Sequence, residues 1–222
     1  MREPVPEHAR PMPFLCCLIR NNCVLNSVLE YEIMDTSSIV SVLWMIFGAV
    51  WLVAWLRTKR TQERAPLSSR LLYAVPVMLG SYLLFSKSVT FGWPRVRLYP
   101  GNPVIDGIAV FLTALGIGFA IWARFYLGTN WSSAVSVKVG HELIRTGPYT
   151  WVRHPIYSGL LLALIGTALQ QDRVIALIAV ALFWLGFWIK SRMEEEFMRK
   201  TFGEQYIEYS RSTGALIPRV KS

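Results

Sequence analysis

Ile39 to Leu56 reads IVSVLWMIFGAVWLVAWL, eighteen consecutive residues without a charge. At 1.5 Å per residue such a run just crosses a hydrocarbon core of about 30 Å. Inside lipid the backbone must satisfy its own polar groups, so a single span of this kind is a helix. Further apolar runs follow at Leu71 to Phe91, Val104 to about Trp122 or Leu127, Ile156 to Leu169 and Val174 to Ile189. The expected fold is all-α, a polytopic membrane bundle of five transmembrane helices. Composition agrees, with 53% hydrophobic and 17% charged residues, against about a quarter charged in an ordinary soluble domain.

Only Gln170 to Arg173 separates the last two runs, and so short a connection makes 156–189 an antiparallel hairpin. Its first arm is brief, and spans fully only if the residues around Arg153, His154 and Pro155 already lie at membrane depth. Gly116, Gly118 and Ala120 give the third helix a small surface for close packing. Lys87 is placed to snorkel to the headgroups. Three regions result: a poorly ordered, proline-rich leader over 1–34, with an alternative start possible at Met34; transmembrane helices one to three over 35–123; and a C-terminal half over 124–222.

Lysine and arginine placement sets the orientation. Arg57, Lys59, Arg60, Arg64 and Arg70 follow helix one, Arg124, Lys138, Arg145 and Arg153 follow helix three, and Lys190, Arg192, Arg199, Lys200, Arg211, Arg219 and Lys221 follow helix five. The other side carries Arg95, Arg97, Arg173 and the leader's arginines. The positive-inside rule puts the richer side in the cytoplasm, together with a C-terminal helix. The net charge of +9 is then explained by loops and anionic membrane lipids, so nucleic acid is not expected as a partner. Cys16, Cys17 and Cys23 lack the spacing of a zinc site, and no metal is expected.

The hairpin brings GPYTWVRHPIYSG, from Gly147 to Gly159, beside Arg192, Glu194, Glu195 and Glu196. Charges held that near a bilayer are costly and point to function. Pro155 suits the first turn of a helix and leaves donors free for a carboxylate or phosphate. Arg153 adds a planar fork for the same anions, and His154 is donor, acceptor or titrating group. An ion pair from Arg153 to Glu194 or Glu195 that merely closes the hairpin fits the same residues.

The runs HELIRTGPYTWVRHPIYSG from His141, MEEEF from Met193, FGEQY from Phe202, and Pro218 together resemble the isoprenylcysteine carboxyl methyltransferase family of integral membrane enzymes. Phospholipid methyltransferases share the looser pattern. The resemblance covers Arg124 to Pro218. It implies S-adenosylmethionine as cofactor, held in the C-terminal half, and an acceptor that arrives from the membrane. Carried over by position, His141, Tyr149, His154, Tyr157 and Glu195 contact the cofactor. Arg153 and Glu194, the expected catalytic pair, brace the pocket or the acceptor.

On the acceptor side stand Arg124 and Trp131, for which snorkelling and interfacial anchoring are the plainer readings. Phe202, Tyr206 and Tyr209 recur at helical spacing and suit packing of an amphipathic helix. The expected function is methyl transfer to an isoprenylcysteine carboxylate, a small thiol or a lipid amine, with a prokaryotic inner membrane as the expected location. An NADPH-dependent membrane sterol or enone reductase is the rival enzyme, although the Glu194 to Glu196 run suits a 2′-phosphate poorly. A non-catalytic lipid-binding protein is the rival outside enzymes.

Overall fold

A computed structural model describes residues 35–56, 66–86, 96–99, 101–128 and 143–219. Among these residues the helices are α1 (Thr36–Leu56), α2 (Leu67–Phe85), α3 (Pro103–Leu127), α4 (Pro155–Gln171), α5 (Val174–Phe202) and α6 (Glu204–Ser212), with a 3-10 turn at Gly147–Thr150. No strand occurs among the described residues, only two isolated bridges. Lys87 lies outside them, and α2 is described over a different span from the run expected at Leu71 to Phe91.

Helix starts and stops follow local chemistry. At the head of α3 the Val104 N–H donates to Asn102 Oδ1 at 2.9 Å, with Pro103 at the first helical position. Pro155 plays the same part in α4. Asp172 ends α4 in the left-handed region, at φ 51°. Its carboxylate then accepts from Arg97 Nε at 2.7 Å and from the Leu98 and Tyr99 N–H groups at 2.9 Å each. Tyr99 OH donates to Leu169 O. The two-residue link between α4 and α5 is thus clasped by the segment preceding α3.

Among the described residues four helices, α1, α2, α3 and α5, are long and apolar enough to cross a membrane. Val40 is the buried residue of α1, while Met45, Leu52, Trp55 and Leu56 are exposed, a surface that only hydrocarbon matches. The 17 residues of α4 reach about 25 Å, short of a full core by about 5 Å. By contrast α5 runs unbroken through 29 residues, or about 43 Å. The expected end of the fifth apolar run at Ile189 is therefore no helix end: the charged turns from Lys190 to Lys200 extend the same helix.

Small residues set how the helices pair. A Cβ on Gly116 would lie 2.4 Å from Ala163 N, and one on Gly159 would lie 2.6 Å from Gly116 O. Gly166 meets Thr113 and Ala109 as closely, so α3 and α4 pack antiparallel, backbone against backbone. Gly118 plays no part in this stripe, having nothing within 4 Å of its Cβ position. On the other flank Gly186 fits against Tyr73, Pro76 and Val77 of α2, and Gly80 against Ala179 and Phe183 of α5. The hairpin arms consequently pack more on α3 and α2 than on each other. Between them lies a shared core of Leu164, Ala168, Ala176, Ala179, Phe183 and Phe187.

Candidate functional site

The start of α4 and the polar turns of α5 meet at one end of the bundle. Gly147 opens the approach at φ 60°, where a side chain would strike the Tyr126 ring at 2.6 Å. The chain then turns through Tyr149 and Trp151 and reaches His154 by way of Val152, which forms an isolated bridge with Gly214. Tyr149 is buried; its OH donates to Ala123 O at 3.4 Å and its carbonyl accepts from Tyr209 OH at 2.6 Å. Burial pushes the Tyr209 phenol up to about 12 despite the cations of Arg153 and Arg145, so it stays a donor at neutral pH.

Arg153 is fully engaged by the protein. Its Nε and Nη2 donate to Glu195 Oε1 at 3.0 and 2.6 Å, and its Nη1 to Ser210 O at 3.0 Å and to Thr213 O. Glu195 is 2% exposed at the side chain and also has Arg199 Nη2 3.6 Å from its other oxygen. Glu194 differs: 23% of its side chain is exposed. It accepts from Tyr157 OH at 2.7 Å, and its second oxygen lies 3.4 Å from His154 Nδ1.

His154 sits between the two carboxylates. Its Nε2 is 3.5 Å from Glu195 Oε1 and is buried without a hydrogen-bond partner among the described residues. Burial works against the charged ring, but Glu194 and Glu195 together outweigh it and hold the His154 pKa above the usual 6.5. The imidazole stacks on Tyr157 at 5.6 Å, and Tyr157 stacks on Phe187 at 5.2 Å. Three near-parallel rings make a flat wall beside the carboxylates.

The C-terminal residues form a strap that the sequence reading missed. Arg153 N–H donates to Gly214 O at 2.8 Å, His154 N–H to Ala215 O at 3.1 Å, and Ser158 Oγ to Leu216 O at 2.6 Å. Gly214 is the signal that was available: a Cβ there would lie 1.9 Å from Ile217 O, so the strap's turn admits only glycine. The aromatic stripe expected from Phe202 to Tyr209 is broken at Gly203, leaving Phe202 on α5 while Tyr206 and Tyr209 are buried on α6.

The fold thus gathers Arg153, His154, Tyr157, Glu194 and Glu195 into one cluster, with Tyr149 joined to it through Tyr209 and α6. Arg124 stands apart at the end of α3, buried, with Nη1 on Gly128 O and Nη2 on Ala54 O at 3.0 Å each. Trp131 and His141 lie outside the described residues. The cluster offers carboxylates for a cation, an arginine-braced helix start, a ring wall for a flat heterocycle, and one buried ring nitrogen without a hydrogen bond among the described residues. These are the contacts that a zwitterionic amino acid joined to a nucleoside requires.

Comparison with known proteins finds similarity to membrane methyltransferases. The profile described as "Phospholipid methyltransferase" matches residues 105–205. Protein-S-isoprenylcysteine O-methyltransferase of Saccharomyces cerevisiae is 35% identical over 135 residues, which is 58% of this chain and 56% of that protein. The Homo sapiens protein of the same name is 29% identical over 146 residues, 64% of this chain and 50% of its own. A solved eukaryotic intramembrane Ras methyltransferase superposes with a TM-score of 0.49 at 18% identity, over 94% of this chain and 87% of that one. The chain spans about half the length of the curated relatives it matches. On the sequence matches, residues 105–205 are similar to phospholipid methyltransferases, and the chain is similar over somewhat more than half its length to isoprenylcysteine O-methyltransferases.

Proposed function

We propose that this chain is an integral membrane methyltransferase that uses S-adenosylmethionine on a membrane-partitioned acceptor. The observation that carries the reading is the meeting of His154, Tyr157, Glu194 and Glu195 at the end of an apolar helix pair, with His154 Nε2 buried and lacking a hydrogen bond among the described residues. S-adenosylmethionine supplies an activated methyl group on a sulfonium. What remains for the protein is to bind, align and exclude water.

In this reading Glu194, the more exposed carboxylate, faces the cofactor's positive groups, and Tyr157 OH orients it. Glu195 holds Arg153 and biases His154 toward donating. Tyr157 and Phe187 supply the wall for the adenine. Tyr149 supports the approach, and His141 and Trp131 enter through the family resemblance alone. Arg124, with two nitrogens on carbonyls of α1 and of the turn after α3, is assigned to bracing. The bundle is read as five crossings, with α4 completed by the segment before it, and the site, α6 and strap on the cytoplasmic side. The acceptor is drawn from isoprenylcysteine carboxylates, small thiols and lipid amines.

Calorimetry of the purified, folded protein with S-adenosylhomocysteine tests this. Saturable heat below millimolar ligand is expected. Its absence, with NADPH giving heat instead, would hand the site to the reductase reading.

A further inference from the structure

The α4–α5 pair carries an apolar groove that the cofactor contacts above leave unused. It encloses about 570 Å³, within the range of about 300–1,000 Å³ typical of ligand clefts. Leu161 and Ile165 of α4 form one side, Ala181 and Trp184 of α5 the other, and Leu216 and Ile217 of the strap close the end nearest the cluster. Ile165 and Trp184 are exposed, so the groove opens outward. Ile217 is 76% exposed, an apolar side chain at the mouth of an apolar groove, which suits contact with lipid. None of Arg153, His154, Tyr157, Glu194 and Glu195 lines the groove, and the hydroxyl in its lining, Ser158 Oγ, donates to Leu216 O. A chain lying there is not presented to the reacting groups, which argues against the methyl acceptor as its occupant.

The same face of α5 continues beyond the groove as a ladder. Trp184 stacks on Trp188 with ring centroids 6.4 Å apart, and the Arg192 guanidinium lies 5.5 Å from the Trp188 ring centroid. Trp188 stands one residue before Ile189, where the apolar run ends, the place of an interfacial tryptophan. Arg192 is one helical turn further, about 6 Å along the axis, inside a headgroup layer of about 5–7 Å. It is exposed, and the three glutamates near it are held by others, Glu194 by Tyr157, Glu195 by Arg153 and Glu196 by Lys200. Apolar groove, interfacial indole and guanidinium thus follow one another as the acyl chain, ester region and phosphate of a phospholipid do.

We propose that groove and ladder bind one bilayer glycerophospholipid, with an acyl chain against Leu216 and Ile217 and its phosphate on Arg192, and that this lipid holds the strap against the site. A guanidinium fork matches a phosphate. The coupling rests on the methyltransferase reading, whereas the lipid site rests on the membrane spans alone. Gly214 O and Ala215 O accept from the Arg153 and His154 N–H groups, and the next two strap residues line the groove. A chain filling the groove gives Leu216 and Ile217 dispersion contacts that an empty groove forfeits. Lipid and methyl donor then favour the same strap position, and each tightens the other.

The experiment uses full-length protein delipidated in maltoside detergent, with phosphatidylglycerol as the lipid probe. Native mass spectrometry reads lipid retention, calorimetry reads S-adenosylhomocysteine affinity, and protease cleavage near the C-terminus reads the strap. Wild type is expected to retain one phosphatidylglycerol, which strengthens S-adenosylhomocysteine by about fivefold or more and slows cleavage. Arg192→Gln weakens lipid retention by roughly tenfold, as one charged contact warrants, and Arg192→Lys restores part of it. Ala181→Trp, at an exposed position in the groove, abolishes retention. Arg192→Gln and Ala181→Trp both bind S-adenosylhomocysteine as lipid-free wild type does, and added lipid no longer tightens it. An S-farnesylcysteine acid leaves the lipid bound. Displacement of the lipid by that acceptor probe would give the groove to the acceptor, and retention unchanged in both variants would mean unspecific lipid contact. Either result overturns the inference while the methyltransferase reading survives. Wild type that binds no S-adenosylhomocysteine with or without lipid overturns that reading and the coupling, and lipid retention still decides the lipid site.

Discussion

Glu194 and Glu195 are neighbours of identical chemistry, and the fold gives them opposite surroundings. Glu195 is sealed against Arg153, so losing its charge strands a guanidinium that is itself mostly buried. Breaking such a pair costs about 3 kcal/mol or more. Glu195→Gln is therefore expected to lower Tm by several degrees, whereas Glu194→Gln, which strands no guanidinium, lowers Tm less and weakens S-adenosylhomocysteine by roughly tenfold. Paired melting and calorimetry check this; equal effects on Tm would remove the distinction. His154 adds a pH signature. Its folded pKa lies above the unfolded value of 6.5, so the stabilisation from its protonation is complete below that value and is lost as pH rises through the folded pKa. Comparing Tm of wild type and His154→Gln from about pH 5.5 to about pH 9 should show a gap that is widest at the acid end. A gap independent of pH would mean that the ring is neutral throughout.

At the scale of elements, the pairing of the Arg-His-Pro turn with the glutamates of α5 was legible, because apolar run lengths and a short link leave a chain little choice but to fold back. The α3–α4 contact was legible only in part: small residues announce a close approach, but Gly116 and Gly118 read alike until the helix phase is known. The strap was not legible. It works through backbone carbonyls at Gly214, Ala215 and Leu216, and carbonyls have no signature in side-chain chemistry. The continuity of α5 past Ile189 was hidden for a related reason, since a helix crosses from lipid to water without any break in its own hydrogen bonds. Two glycine substitutions separate these cases. Gly118→Ala meets open space and should be neutral or slightly stabilising, since alanine is the better helix former by up to about 1 kcal/mol. Gly214→Ala forces its Cβ onto Ile217 O, so the strap should lift, with S-adenosylhomocysteine binding weakened and protease cleavage near the C-terminus accelerated while the bundle's Tm falls little. Unchanged cleavage and binding would mean the strap contributes nothing to the site.

For the whole molecule, the decisive quantity is the number of crossings between two marked ends. The clasp of Asp172 on Arg97, Leu98 and Tyr99 lies at the α4–α5 link, and the strap and α6 lie at the other end of those helices. The roughly 43 Å of α5 separates them by more than a hydrocarbon core. If α4 and α5 both cross, the clasp and strap face opposite compartments, and the surplus of arginine and lysine beside the strap puts the strap in the cytoplasm. Single cysteines at Gly101, next to the clasp, and at Ser212, at the end of α6, report this directly, with Cys16, Cys17 and Cys23 replaced by serine. Both positions are exposed. In intact cells a membrane-impermeant maleimide should label Gly101→Cys and spare Ser212→Cys until the membrane is permeabilised. Labelling of both from one side would mean that the α4–α5 hairpin enters and leaves by the same face, and a cytoplasmic methyl donor would then have no separate lipid-side route for its acceptor. The reverse pattern would keep the crossing of α4 and α5 but invert it, placing His154 and Glu194 in a compartment where S-adenosylmethionine is not made.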